Sequence, residues 1–97
     1  MFKQLIRGNT YRFDIEAISA DGKPEWFDSG TGVIAFTTGR AVKEQTLDIS
    51  RLPTQDGHYR VYYTIPVDAG NALYIDVRGT IHSLPAVFKR TRFFVGG

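Results

Sequence analysis

His58-Tyr59-Arg60-Val61-Tyr62-Tyr63-Thr64-Ile65-Pro66-Val67 is the stretch whose reading decides the fold class. Tyr59, Val61, Tyr63 and Ile65 point to one side and Arg60, Tyr62 and Thr64 to the other, a period of two. That alternation belongs to a strand with one buried face, and aromatic and β-branched residues fit such a pleated surface. Pro66 falls near the end, where a missing N–H is tolerated. Asp56-Gly57 precedes the strand as a turn. Asp68-Ala69-Gly70-Asn71 follows it and reads as a hairpin loop into a neighbouring strand, where Leu73, Ile75 and Val77 alternate with Tyr74, Asp76 and Arg78.

The same pattern extends outward in both directions. Tyr11, Phe13, Ile15 and Ala17 alternate with Arg12, Asp14 and Glu16, and Asp21-Gly22-Lys23-Pro24 supplies a turn. Glu25 to Asp28 surrounds the single tryptophan, Trp26, and Ser29-Gly30-Thr31-Gly32 is a second break. Val33 to Thr38 reads as a strand buried on both faces, ended by Gly39. Arg40 to Thr46 has too few apolar residues for a helix stripe and reads as a loop. Leu47 and Ile49 bracket Asp48 in a short strand before the Leu52-Pro53 break. Leu84-Pro85 is a further break. In the last strand Val87, Lys89, Thr91, Phe93 and Val95 share one side, and Phe88, Arg90, Arg92 and Phe94 the other. About seven strands with short connections predict an all-β, antiparallel β-sandwich over a single domain, residues 1–97; the alternative is a small closed β-barrel.

Composition bounds the function. At 97 residues there is room for one core, burying roughly two-thirds of the unfolded surface. Cysteine is absent, which excludes disulfides, thiolate metal sites and cysteine nucleophiles. The longest apolar run, Val33-Ile34-Ala35-Phe36, is far below the ~20 residues of a membrane helix. Met1 to Arg7 lacks the apolar stretch of a secretory signal, so the expected location is intracellular or reached by a non-secretory route.

No constellation predicts catalysis, a cofactor or a metal. His58 and His82 stand 24 positions apart with no carboxylate at ligand spacing. No serine lies in a Gly-x-Ser-x-Gly elbow, and Gly30-Thr31-Gly32 lacks the Gly-Lys-Ser/Thr of a phosphate loop. Asp14 and Glu16 share a strand face with Arg12, a charge-balanced solvent face rather than a glycosidase pair. Asp68, Asn71 and Asp76 do not match a calcium loop. The terminal Gly96-Gly97 is similar to a ubiquitin-like tail, but the helix of that fold is missing.

Residues 49–97 hold six basic and three acidic side chains, and Lys89, Arg90 and Arg92 stand beside Phe88, Phe93 and Phe94. Basic residues interleaved with aromatics suit single-stranded nucleic acid. Alternation splits this group between two faces, however, and a cation-protected edge strand accounts for it equally well.

Arg7-Gly8-Asn9-Thr10-Tyr11-Arg12-Phe13, then Asp21-Gly22-Lys23-Pro24, resembles the opening of small immunoglobulin-like β-sandwich modules in tailed-bacteriophage virions. Gly57-His58-Tyr59-Arg60-Val61 is similar to strands in their later halves. The chain departs from them at Trp26-Phe27-Asp28, where such modules carry an Asp-Leu-Thr-type segment. The resemblance implies a non-catalytic head-decoration, neck, tail or baseplate protein, assembled in the host cytoplasm and carried in the virion.

The expected function is therefore structural assembly through protein–protein contacts, with other subunits or with itself. The expected contact surface combines Phe2, Leu5 and Ile6 near the amino terminus with Arg90, Arg92, Phe93 and Phe94. The alternatives are a carbohydrate-binding module using Trp26, Tyr62 and Tyr74, and a nucleic-acid-binding barrel using the last strand.

Overall fold

The computed structural model of the chain describes residues 4–47, 56–86 and 90–97. Among these the strands are β1 (Gln4–Ile6), β2 (Thr10–Glu16), β3 (Val33–Thr38), β4 (Ala41–Thr46), β5 (His58–Thr64), β6 (Ala72–Arg78), β7 (Thr80–Ile81), β8 (Leu84–Pro85) and β9 (Thr91–Gly96), and there is no helix. Five strands form one sheet in the order β1-β9-β6-β3-β4; β2 pairs with β5, and β7 with β8. Pairing is antiparallel except between β1 and β9, which run parallel, so the large sheet is mixed. The β2–β5 ribbon lies across this sheet as a β-sandwich. No barrel closes among the described residues, because β2 and β5 pair only with each other.

The core is where the two apolar faces meet. Tyr59, Val61, Tyr63 and Ile65 face inward, as do Leu73, Ile75 and Val77; all are buried. Phe36 stacks on Tyr63 with ring centres 4.2 Å apart, and Phe13 packs 5.5 Å from Phe36 and 5.7 Å from Phe93. At one end Tyr59 meets the edge of Trp26 at 5.1 Å and Phe27 at 5.4 Å, and its hydroxyl accepts the Phe27 N–H at 2.9 Å. Burying such a side chain stabilises the fold by about 1.5–3 kcal/mol. Gly79 is small of necessity: a Cβ there would lie 2.5 Å from the Phe27 ring.

Three expectations are corrected. Arg40 to Thr46 is not a loop, because Ala41–Thr46 pairs with β3 across the tight Gly39-Arg40 turn. Most of this edge strand is exposed on both faces, so no apolar alternation marks it, and Lys43 and Glu44 protect the edge. Asp68 to Asn71 is not a hairpin loop. It carries the chain from the β2–β5 ribbon to the five-stranded sheet, so β5 and β6 face each other across the core instead of pairing. Arg7 ties this crossing down, donating from Nε to Ala69 O at 2.9 Å and from its terminal nitrogen to Gly70 O at 3.2 Å.

The third correction concerns Leu5, expected on a contact surface. It is 2% exposed, lies in the core, and pairs in register with buried Val95 on β9. The last strand keeps its expected phase from Thr91 onward, while Val87 to Lys89 lie outside the described residues, as do Ile49 and Leu52-Pro53.

Candidate interaction face

The register of the large sheet decides which side chains share its outer face. Arg92 is directly opposite Tyr74, which is opposite Thr37, which is opposite Val42. Phe94 is opposite Ala72 and Gln4 in the row above. Asp76, Ala35 and Glu44 form the row below, then Arg78, Val33 and Thr46. Directly paired residues project to the same side of a sheet, so these rows lie on one surface, away from the ribbon.

Along one diagonal the side chains interleave. Arg90 sits 4.5 Å over the Tyr74 ring, and Arg92 lies 5.8 Å from Tyr74 and 5.0 Å from Phe94. Arg90 Nε also stands 3.1 Å from Asp76, and Arg78 is 2.7 Å from Glu44. Phe94 is 45% exposed, Ile6 38% and Val42 61%. Chemically this is a platform of stacked guanidiniums and aromatic faces with an apolar border. It has donors for carboxylate or phosphate.

The expected contact residues therefore separate. Arg90, Arg92 and Phe94 come together here, with Ile6 on the adjoining strand. Phe93 points the other way, half-buried, with its ring edge-on to Phe13. Leu5 is core, and Phe2 lies outside the described residues. Tyr74, the centre of the platform, was legible only as a solvent-side strand residue. Nothing in its local sequence reveals that β9 lies beside it.

The other candidate residues sit on other elements. Asp28 holds the β7–β8 turn: its carboxylate accepts from the His82 N–H at 3.0 Å, the Ser83 N–H at 2.8 Å and the Thr80 hydroxyl at 2.8 Å. His82 and Ser83 both have positive φ, 54° and 65°, a conformation costly for non-glycine residues. The Ser83 amide, then the Thr80 hydroxyl, hold the Asp28 carboxyl below its usual range. His82 Nε2 is 3.0 Å from Glu25 Oε1, and that hydrogen bond and charge raise the imidazole above its usual value. His58 lies 3.6 Å from Glu16. No three metal-ligating side chains converge among the described residues. Asp14 is balanced by Arg12 at 3.4 Å and Arg60 at 3.6 Å.

A groove of about 350 Å³ runs along the outer edge of β2, with Leu5, Phe13, Ile15, Ile75 and Phe93 among its lining residues. Trp26, Tyr62 and Tyr74 do not form one aromatic platform. Tyr62 is on the outer side of the ribbon, Tyr74 on the outer side of the opposite sheet, and Trp26 at one end against Tyr59. No helix among the described residues is long and apolar enough to cross a membrane. No protein-family model, curated protein or solved structure matches the chain.

Proposed function

We propose that this chain is a non-catalytic assembly module that binds a neighbouring protein subunit through the outer face of its five-stranded sheet. The observation that carries the reading is the Arg90–Tyr74–Arg92–Phe94 cluster. It gathers the residue types that concentrate binding energy at interfaces on the sheet face turned away from the β2–β5 ribbon. The resemblance of the Arg7–Phe13 and Asp21–Pro24 segments to virion modules supports a setting in a phage particle, as a decoration, neck, tail or baseplate subunit assembled in the host cytoplasm.

Sedimentation of the protein in extracts of its source cells tests this. Wild type should travel in a complex far heavier than its 10.9 kDa monomer. The Arg90→Glu/Arg92→Glu double variant should travel as a monomer with an unchanged circular dichroism spectrum. A wild-type monomer, or a double variant that still assembles, would refute the reading.

A further inference from the structure

We infer that Arg92 is the receptor for a single carboxylate, presented by a protein segment whose neighbouring side chains are apolar. This rests on the reading of the outer sheet face as the contact surface, and charge complementarity carries it further. Among the described residues the face holds Arg78, Arg90 and Arg92 against two carboxylates. Arg78 is taken by Glu44 at 2.7 Å and Arg90 by Asp76 at 3.1 Å. Arg92 has no carboxylate within ion-pair distance among the described residues.

The Arg92 guanidinium is nevertheless held in place, over Phe94 at 5.0 Å and Tyr74 at 5.8 Å. Stacking on aromatic faces leaves the N–H edges pointing to solvent, and a fixed guanidinium fork matches a carboxylate with two parallel hydrogen bonds. These contacts offset part of the entropy of ordering the arginine in the free domain, which favours binding. Phe94 borders this fork, with Ile6 one row beyond it on β1 and Val42 at the far end of the Arg92 row, all substantially exposed. The residues flanking the incoming acid must therefore be apolar to cover them. Nucleic acid fits poorly: phosphate-backbone binding draws on several unpaired cations, and the described part of this face has one.

Isotope-labelled full-length domain, titrated with capped Ser-Val-Glu-Val-Ser, tests the inference by magnetic resonance of the Arg92 Nε–Hε group. The Glu peptide should shift that resonance together with the Phe94 and Tyr74 amides. The Gln counterpart should bind at least about tenfold more weakly, the loss expected when a charge-assisted hydrogen bond becomes a neutral one. Arg92→Gln should erase the preference, and Arg92→Lys should restore only part of it, since ammonium lacks the fork. Equal binding of the two peptides, no binding of either, shifts confined to another surface, or tighter binding of an oligothymidylate would each overturn the inference. Assembly separates it from the reading beneath it. If Phe94→Ser releases the domain from its complex and Arg92→Gln does not, the face stands and the carboxylate receptor falls. If neither variant releases it, the face itself is wrong.

Discussion

Leu5→Ala and Ile6→Ala, adjacent residues on a three-residue strand, should differ sharply in isolated-domain stability. Leu5 is 2% exposed and packed in the core, whereas Ile6 is 38% exposed on the outer face. A buried leucine cut to alanine costs about 2–5 kcal/mol, depending on how far the site collapses. Because β1 is a short edge strand able to adjust, the low end, about 2 kcal/mol, is expected here. In a domain of this size about 1 kcal/mol moves the melting temperature by roughly 4–8 °C, so Leu5→Ala should lower it by roughly 8–16 °C. Ile6→Ala should cost less than about 1 kcal/mol, as exposed substitutions do. Urea titrations with equal slopes would confirm that the change is in stability and not in the extent of unfolding. If Leu5→Ala lies within about 0.5 kcal/mol of wild type, or costs less than Ile6→Ala, β1 is not part of the core. Deleting residues 1–6 should for the same reason destabilise the monomer as well as weaken assembly.

Tyr59→Phe keeps the ring but leaves the buried Phe27 N–H without its acceptor, and chemical denaturation should show a loss of about 1–3 kcal/mol. Gly79→Ala drives a methyl group to 2.5 Å from the Phe27 ring and should cost about 1–3 kcal/mol by the same assay, with relief expected in the Gly79→Ala/Phe27→Leu double variant. The β7–β8 turn should respond to pH in two opposite directions. His82 has a raised folded pKa, so its contribution is complete below 6.5 and is lost as pH rises through the folded value. Asp28 has a lowered folded pKa, so its contribution is present above 3.8 and fades as pH falls through the folded value. Urea midpoints should therefore fall between pH 6 and pH 8 in wild type more than in His82→Ala, and an identical fall in both would show that His82 is uncoupled from folding.

Much of the sandwich is readable in the chain, because strands with one dry face must alternate. Tyr59 to Ile65, Leu73 to Val77 and Phe93 to Val95 all carry that alternation, and all keep the inward phase it predicts. Where a strand has two wet faces or only three residues, the signal disappears. Ala41 to Thr46 is held by its partner β3, and Gln4 to Ile6 by parallel pairing with a strand some 90 positions away. The crossing at Asp68 to Asn71 has the composition of a hairpin turn, yet the partners of β5 and β6 are fixed by long-range pairing that no local residue records. The contact platform was half legible. Arg90, Arg92 and Phe94 follow from alternation, while Tyr74 joins them only through the β6–β9 register. The role of Asp28 as the anchor of a turn is not legible in the chain, because His82-Ser83 lacks the Asn-Gly signature that usually marks positive φ.

Hydroxyl-radical footprinting of the domain, free and within its native complex, tests the central claim most directly. Phe94 and Tyr74 report on the outer face of the five-stranded sheet, and Tyr62, 60% exposed on the outer side of the β2–β5 ribbon, is the internal control. Assembly should suppress oxidation of Phe94 and Tyr74 by several-fold while leaving Tyr62 unchanged. Protection of Tyr62 with undiminished oxidation of Phe94 would place the contact on the opposite face and contradict the account.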